Sequence, residues 1–168
     1  MIIPASDKDL DLIYQLFEQA IAFQQQQGYR GWQSYDTEHI RKDVLSQQLY
    51  KVLSGNGVAG IFCVCLRDEL IWRSLDQNDA LYLHRIISNR ENRSGGFFKQ
   101  VLDWAIDEAR KTGRKYIRMD TWAENKKLIA YYESYGFRFV ENYTTENSIA
   151  LPEQHRNLHV ALLQLAVY

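Results

Sequence analysis

The chain has 168 residues, 46% hydrophobic and 24% charged, a balance that fits a folded globular protein and excludes a disordered one. Lys and Arg number 20 and Asp and Glu 21, so the net charge is −1 and gives no overall electrostatic footprint for nucleic acid or an anionic membrane. The length fits one domain spanning 1–168, large enough to bury a core without disulfide or metal staples.

Residues 1–7 lack a basic region followed by an apolar stretch, so no secretory signal is expected. Ser6, with Asp9 three residues later, opens the first predicted helix with a capping box. Leu10, Ile13, Tyr14, Phe17, Ala20 and Ile21 recur at helical spacing, and Gly28 stops the helix after the run Gln24 to Gln27. Residues 29–36 form an aromatic loop, and a shorter helix covers about 37–46. Strands are predicted over 49–53 and 58–66, joined by the hairpin signal Ser54-Gly55-Asn56-Gly57. The second of these is the longest apolar run, far short of the roughly 20 residues a membrane helix needs. Cys63 and Cys65 share a face of it, too close in sequence to pair readily. They read as buried thiols in a reducing, cytoplasmic setting. No His/Cys spacing resembles a zinc site, so no metal is expected.

A further strand covers 82–88. Gly95-Gly96 opens a strongly periodic helix with Phe97, Phe98, Val101, Leu102, Ala105, Ile106 and Ala109 on one side, ended by Gly113. A strand over 116–119 follows, then a helix over 125–135 with Asn125 as N-cap and Gly136 past its end. The last strands lie around 137–141 and 158–167. This order predicts an α/β (α+β) fold: a mixed, mostly antiparallel central sheet flanked by helices on both faces. The unit 82–119 is expected to be a right-handed crossover between parallel neighbours.

Two places could carry chemistry. The strand over 82–88 runs into a polar, basic connection, Asn89-Arg90-Glu91-Asn92-Arg93-Ser94, and then into the glycine pair. First-turn N–H groups of a helix lack internal partners and carry partial positive charge. With glycines removing obstruction, such a turn can cradle a phosphate or diphosphate, with Arg85, Arg90 and Arg93 adding charge. It can equally be a plain strand-to-helix turn. Neither a P-loop nor a dinucleotide fingerprint occurs. In the second place, Asn125 and Tyr132 stand seven residues apart, two turns along one helix face. An amide at a helix start can hold a polar chain, and a tyrosine hydroxyl can protonate a leaving thiolate. Alternatively Asn125 is only a cap and Tyr132 only a core aromatic with its hydroxyl at the rim.

Taken together, the glycine turn, the strand ending Met119-Asp120-Thr121 and the run Asn125…Tyr132-Glu133-Ser134-Tyr135-Gly136-Phe137 resemble the GNAT superfamily of acyl-CoA-dependent N-acyltransferases, most specifically over 82–140. The family's phosphate signature, Arg/Gln-x-x-Gly-x-Gly/Ala, falls on Arg93-Ser94-Gly95-Gly96-Phe97-Phe98. Arg93 and Gly96 match it, whereas Phe98 stands where a small residue is usual. A large side chain there either narrows the approach or points into the core while its N–H still donates. Its place beside Val101 and Leu102 on the apolar face favours the second. Ser88 replaces a usually apolar residue at a position that acts through its backbone.

The resemblance implies acetyl-CoA as donor. It implies that Ile86 and Ser88 pair with the pantetheine arm through their backbones and that Arg93, Ser94, Gly95, Gly96, Phe97 and Phe98 hold the diphosphate. Asn125 would bind the arm, and Tyr132 would protonate the departing thiolate. The implied reaction is direct attack by the neutral primary amine of a small molecule or peptide, with no Ser/His/Asp or Cys/His triad. Its proton goes to Asp120, His84 or water. Tyrosine, with a reference pKa of about 10 against about 8.5 for a thiol, is protonated and able to donate. Trp32, Tyr35, Trp72 and Trp122 either wall the acceptor side or belong to a core lid. Competing readings are a catalytically silent acyl-CoA-binding or sensor module of the same fold and a plain interaction domain. A homodimer through C-terminal strands fits the family, and no nucleic-acid or membrane partner is expected.

Overall fold

The computed structural model describes residues 1–55 and 57–168. Asn56, at the centre of the predicted hairpin turn, lies outside them. In chain order the elements are β1 (Ile2–Pro4), α1 (Leu10–Gln26), α2 (Thr37–Leu45), β2 (Leu49–Ser54), β3 (Gly57–Cys65), α3 (Glu69–Trp72), β4 (Ala80–Ser88), α4 (Phe97–Lys111), β5 (Tyr116–Trp122), α5 (Lys126–Glu133), β6 (Arg138–Thr144) and β7 (His159–Ala166). The seven strands form one sheet in the order β1-β2-β3-β4-β5-β7-β6. Pairs β1–β2, β2–β3, β5–β7 and β6–β7 are antiparallel, and β4–β5 is parallel from Ala80↔Tyr116 to Leu83↔Met119. The fold is therefore the mixed, mostly antiparallel α/β arrangement that the element order predicts. Among the described residues, no helix is long and apolar enough to cross a membrane.

The chain forms two compact units, Met1–Val64 with His84–Trp104, and Cys65–Leu83 with Ala105–Tyr168. In the first, the periodic face of α1 supplies Ile13, Leu16 and Phe17 to a core shared with Ile40 and Val44 of α2, Leu49 of β2, Ile61 and Cys63 of β3, and Ile87 of β4. Ser6 starts this unit's first helical turn as expected: its N–H donates to Asp9 Oδ2 at 2.8 Å, and Lys51 Nζ holds the other oxygen of that carboxylate at 2.7 Å. Asp36 caps α2, its Oδ1 accepting from the N–H groups of Glu38 and His39, each at 3.1 Å. The aromatic loop packs on α1. Trp32 stacks on Phe17 with centroids 5.5 Å apart, and Tyr35 on Phe17 at 5.7 Å, its hydroxyl donating to Glu18 Oε1 at 2.7 Å.

In the second unit the core gathers Ile71, Trp72, Ala80, Tyr82, Leu151, Val160 and Leu162. Arg118 is buried beside it with its charge fully engaged. Its Nε donates to Gln164 Oε1 at 2.8 Å, and its Nη1 faces the Leu75 carbonyl at 2.8 Å, the Tyr82 hydroxyl at 3.0 Å and Asp79 Oδ1 at 3.2 Å. A buried guanidinium is tolerable only when it is so satisfied. Two elements exceed the sequence expectation. β1 is three residues long and ends at Pro4, too short to show a period. α3 is one turn, capped by Asp68 Oδ1 on the Ile71 N–H at 3.3 Å. β5 also runs three residues past Met119, because its register with β7 continues to Trp122↔Val160.

Candidate active site

In the first unit, β4 carries His84, Ile86 and Ser88 toward the connection that leads into α4. His84 is buried, Ile86 half-buried and Ser88 exposed. The alternation that groups His84 with Tyr82 and Ile86 lapses at Arg85, whose φ of 49° is left-handed, and Ile87 rather than Ile86 enters the core. Asn89 then pins the strand end. Its N–H donates to the Ala59 carbonyl at 2.7 Å and its Nδ2 to the Val58 carbonyl at 2.9 Å, while its Oδ1 accepts from the Glu91 N–H at 3.0 Å. That last bond is an Asx turn, the role for which a short amide side chain suits a strand exit. Sequence reasoning passed Asn89 over as one polar residue in a polar stretch.

The connection is tied down on both sides. The Arg90 guanidinium lies 3.2 Å from the centroid of the Phe23 ring on α1, Gln19 Nε2 donates to Glu91 Oε1 at 3.3 Å, and Asn92 Nδ2 donates to Ser54 Oγ at 3.2 Å. Burial, and then the like charge of Arg93, lower the pKa of Arg90. Two guanidinium groups close enough to repel make this turn locally positive in a chain whose net charge is −1. Arg85 does not join them, contrary to the sequence expectation: it is bound to Asp43, which offsets its charge.

Arg93, Gly95 and Gly96 are exposed and Ser94 is half-buried, its Oγ accepting from Gln100 Nε2 at 3.2 Å. Gly96 has φ 72°, a conformation that glycine takes without steric cost, and its carbonyl accepts the Gln100 N–H at 3.0 Å as α4 begins. A Cβ placed on Gly95 or Gly96 would meet nothing within 4 Å, so the space over the turn is open. Phe97 and Phe98 are buried, Phe98 to 4% exposure. Phe97 has its place because Gly60 of β3 has no side chain: a Cβ there would stand 2.5 Å from the Phe97 ring and well inside van der Waals contact distance of the Ile87 carbonyl oxygen.

In the second unit, Asp120 lies half-buried on β5 opposite Leu162 of β7. Asn125 is 7% exposed and caps α5, its Oδ1 accepting the Leu128 N–H at 3.1 Å. Its Nδ2 is the polar group of the side chain that remains to meet another partner. Tyr132, 8% exposed, sits two turns on, its ring edge-on to Phe137 at 6.4 Å and tilted against Tyr131 at 5.5 Å. Burial first, then the Tyr131 hydroxyl and the Asp120 carboxylate, push the Tyr132 hydroxyl above the usual tyrosine range. The structure thus brings Asp120 and Tyr132 into electrostatic contact, with the phenol held protonated. For Trp72 the structure decides between the two alternatives that the sequence leaves open. At 0% exposure, with the Arg118 guanidinium 4.9 Å from its ring, it is core and cannot wall an acceptor, whereas Trp32, Tyr35 and Trp122 are half-buried.

Against known proteins, the family model of the acetyltransferase (GNAT) family matches residues 13–137, and the chain belongs to that family. Among individual relatives, an uncharacterized N-acetyltransferase of Bacillus subtilis (strain 168), YesJ, is 27% identical over 73 residues. That stretch is 44% of this chain, and it spans only 41% of the relative's own length. In fold, the chain resembles a GNAT-family acetyltransferase from Listeria monocytogenes 4b F2365, with a TM-score of 0.77 and 21% identity over 99% of this chain and 94% of that one. It also resembles yncA from Salmonella typhimurium, solved with its cofactor acetyl-CoA, with a TM-score of 0.67 and 18% identity over 100% of this chain and 94% of that one.

Proposed function

We propose that this chain is an N-acetyltransferase that moves an acetyl group from acetyl-CoA to the primary amine of a small molecule or peptide by direct attack. The observation that carries the proposal is the turn over 93–98. It has an exposed Arg93, a left-handed Gly96, open space above both glycines and a buried Phe98, and it opens directly into the N-terminus of a 15-residue helix. Such a turn fits a diphosphate, because the first-turn N–H groups of a helix and its dipole both favour an anion. Acetyl-CoA supplies an acetyl group already activated as a thioester.

The chain's own residues do the rest. The backbones of Ile86 and Ser88 pair with the pantetheine arm as an added strand would. Arg93, Ser94, Gly95, Gly96, Phe97 and Phe98 hold the diphosphate, and Asn125 Nδ2 donates to the arm. Asp120 or His84, directly or through water, takes the proton that the attacking amine sheds. Tyr132 holds its own proton and delivers it to the sulfur as the thiolate leaves. The protein acts as a single domain in a cytoplasmic setting.

The test is thiol release from acetyl-CoA across a panel of free amines, amino acids and peptides, with Tyr132→Phe as control. The wild type turns over at least one class of amine. Tyr132→Phe loses on the order of a hundredfold or more in kcat while keeping its affinity for acetyl-CoA. Full turnover by the variant would remove Tyr132 as proton donor. Coenzyme binding without turnover anywhere in the panel would instead favour a silent acyl-CoA-binding module.

A further inference from the structure

Arg85 stands in the middle of a β-strand with φ 49°. A non-glycine residue in the left-handed region is uncommon, and it persists only where its surroundings over-determine it. The surroundings of Arg85 are specific. Its Nε donates to Cys63 Sγ on β3 at 3.3 Å, and its Nη2 pairs with Asp43 Oδ2 on α2. The Cys63 thiol lies 3.8 Å from the same carboxylate oxygen. All three side chains are largely withdrawn from solvent. Burial pushes the Cys63 thiol up to about 11 even with Arg85 alongside, so the sulfur keeps its proton and can direct it at Asp43.

This trio is a costly way merely to hold a core together. A buried ion pair replaced by apolar residues of similar volume is often neutral or stabilising, and a glycine would adopt φ 49° without strain. What the trio achieves is geometric. A left-handed residue bends a strand and breaks its alternation, as bulges do next to functional sites. The parallel register of β4 runs to Leu83, and beyond Arg85 come Ile86, Ile87 and Ser88, followed by Asn89 with its bonds to Val58 and Ala59. One end of that short backbone segment is therefore fixed by Asn89 and the other through the Arg85 side chain.

We infer that Asp43 and Cys63, acting through Arg85, set the backbone of residues 86–88 that receives the pantetheine arm, so that Arg85 and Asp43 are positioning residues for the acyl donor. The inference rests on the acetyl-CoA assignment above. It is tested with Asp43→Asn, and with Arg85→Gly, whose glycine accepts the backbone angle but drops both side-chain anchors. Binding of acetyl-CoA and of adenosine 3′,5′-diphosphate, which lacks the arm, is measured by calorimetry. Amide hydrogen exchange at 86–88 is followed in the free proteins.

Each variant is expected to bind acetyl-CoA on the order of tenfold more weakly, the scale of loss that small misplacements produce. Affinity for adenosine 3′,5′-diphosphate stays at the wild-type value, and exchange at residues 86–88 quickens. Equal weakening toward both probes would reveal a general structural role and overturn the inference. So would unchanged acetyl-CoA affinity and exchange in both variants while the wild type binds, and that outcome leaves the acetyltransferase assignment standing. Failure of the wild type itself to bind acetyl-CoA would take down that assignment and this inference together.

Discussion

Tyr132 carries its proton because of where α5 puts it. Burial, with the Tyr131 hydroxyl and the Asp120 carboxylate adding to it, raises the phenol above its ordinary pKa of about 10. The sign matters for the pH profile. A raised pKa keeps the donor form present to higher pH, so it is lost only as pH climbs past the usual tyrosine range. Between pH 7 and pH 9 the deficit of Tyr132→Phe in kcat should therefore be constant, and a deficit that vanishes toward pH 9 would show that the group donating the proton titrates lower. Gly95 gives a second residue-scale expectation with two opposite signs. A methyl there meets no neighbour, and replacing a glycine at a compatible site stabilises by about 0.4–1 kcal/mol through the unfolded chain. The same methyl projects into the space over the turn. Gly95→Ala should melt at the same temperature as the wild type or slightly above it, yet bind acetyl-CoA at least several-fold more weakly. Unchanged affinity would place the diphosphate elsewhere.

At the scale of elements, the turn depends on a predicted strand whose glycine, Gly60, sequence reading gave no role. Gly60 lets β3 approach the Ile87 carbonyl and leaves room for the Phe97 ring at the first position of α4. Gly60→Ala forces backbone and ring apart, and overpacking of this kind costs about 1–3 kcal/mol. Chemical denaturation should register that loss, and acetyl-CoA affinity should fall with it, because the displaced ring sits next to the glycine pair. A variant as stable as the wild type would mean that the β3–β4 contact yields more easily than the geometry indicates.

The same elements show what could be read from the sequence and what could not. α1, α4 and α5 announce themselves by apolar spacing and terminal signals, and the parallel β4–β5 pair follows from the intervening helix. The glycine turn and the Asn125 cap were likewise legible, since both rest on local backbone chemistry. β1 and α3 were not, being too short to show a period and held by tertiary pairing and a single cap. Arg85 misled for a related reason. Its charge is visible in the sequence, but its partner Asp43 is 42 residues away, and no local pattern announces that pairing. Trp72 stayed open between acceptor wall and core for the same lack of tertiary information.

For the whole molecule, the boundaries between the two compact units, at Val64/Cys65, Leu83/His84 and Trp104/Ala105, fall inside β3, β4 and α4. Each boundary therefore cuts a continuous element of the chain, two strands and a helix in all. Heating should produce one cooperative transition, with calorimetric and van't Hoff enthalpies in agreement. A ligand bound only by the folded chain then raises the midpoint of that transition as a whole. At a hundred times its dissociation constant it contributes about 2.7 kcal/mol. For a domain of this size each kcal/mol moves the midpoint by about 2–4 °C, so acetyl-CoA should raise it by about 5–10 °C. The three functional readings separate on this one axis together with turnover. An acetyltransferase shows the shift and consumes acetyl-CoA when an amine is added, a silent acyl-CoA-binding module shows the shift alone, and an interaction domain shows neither. Two resolved transitions, only one of them moved by acetyl-CoA, would mean that the units fold independently and that the coenzyme is held by one of them.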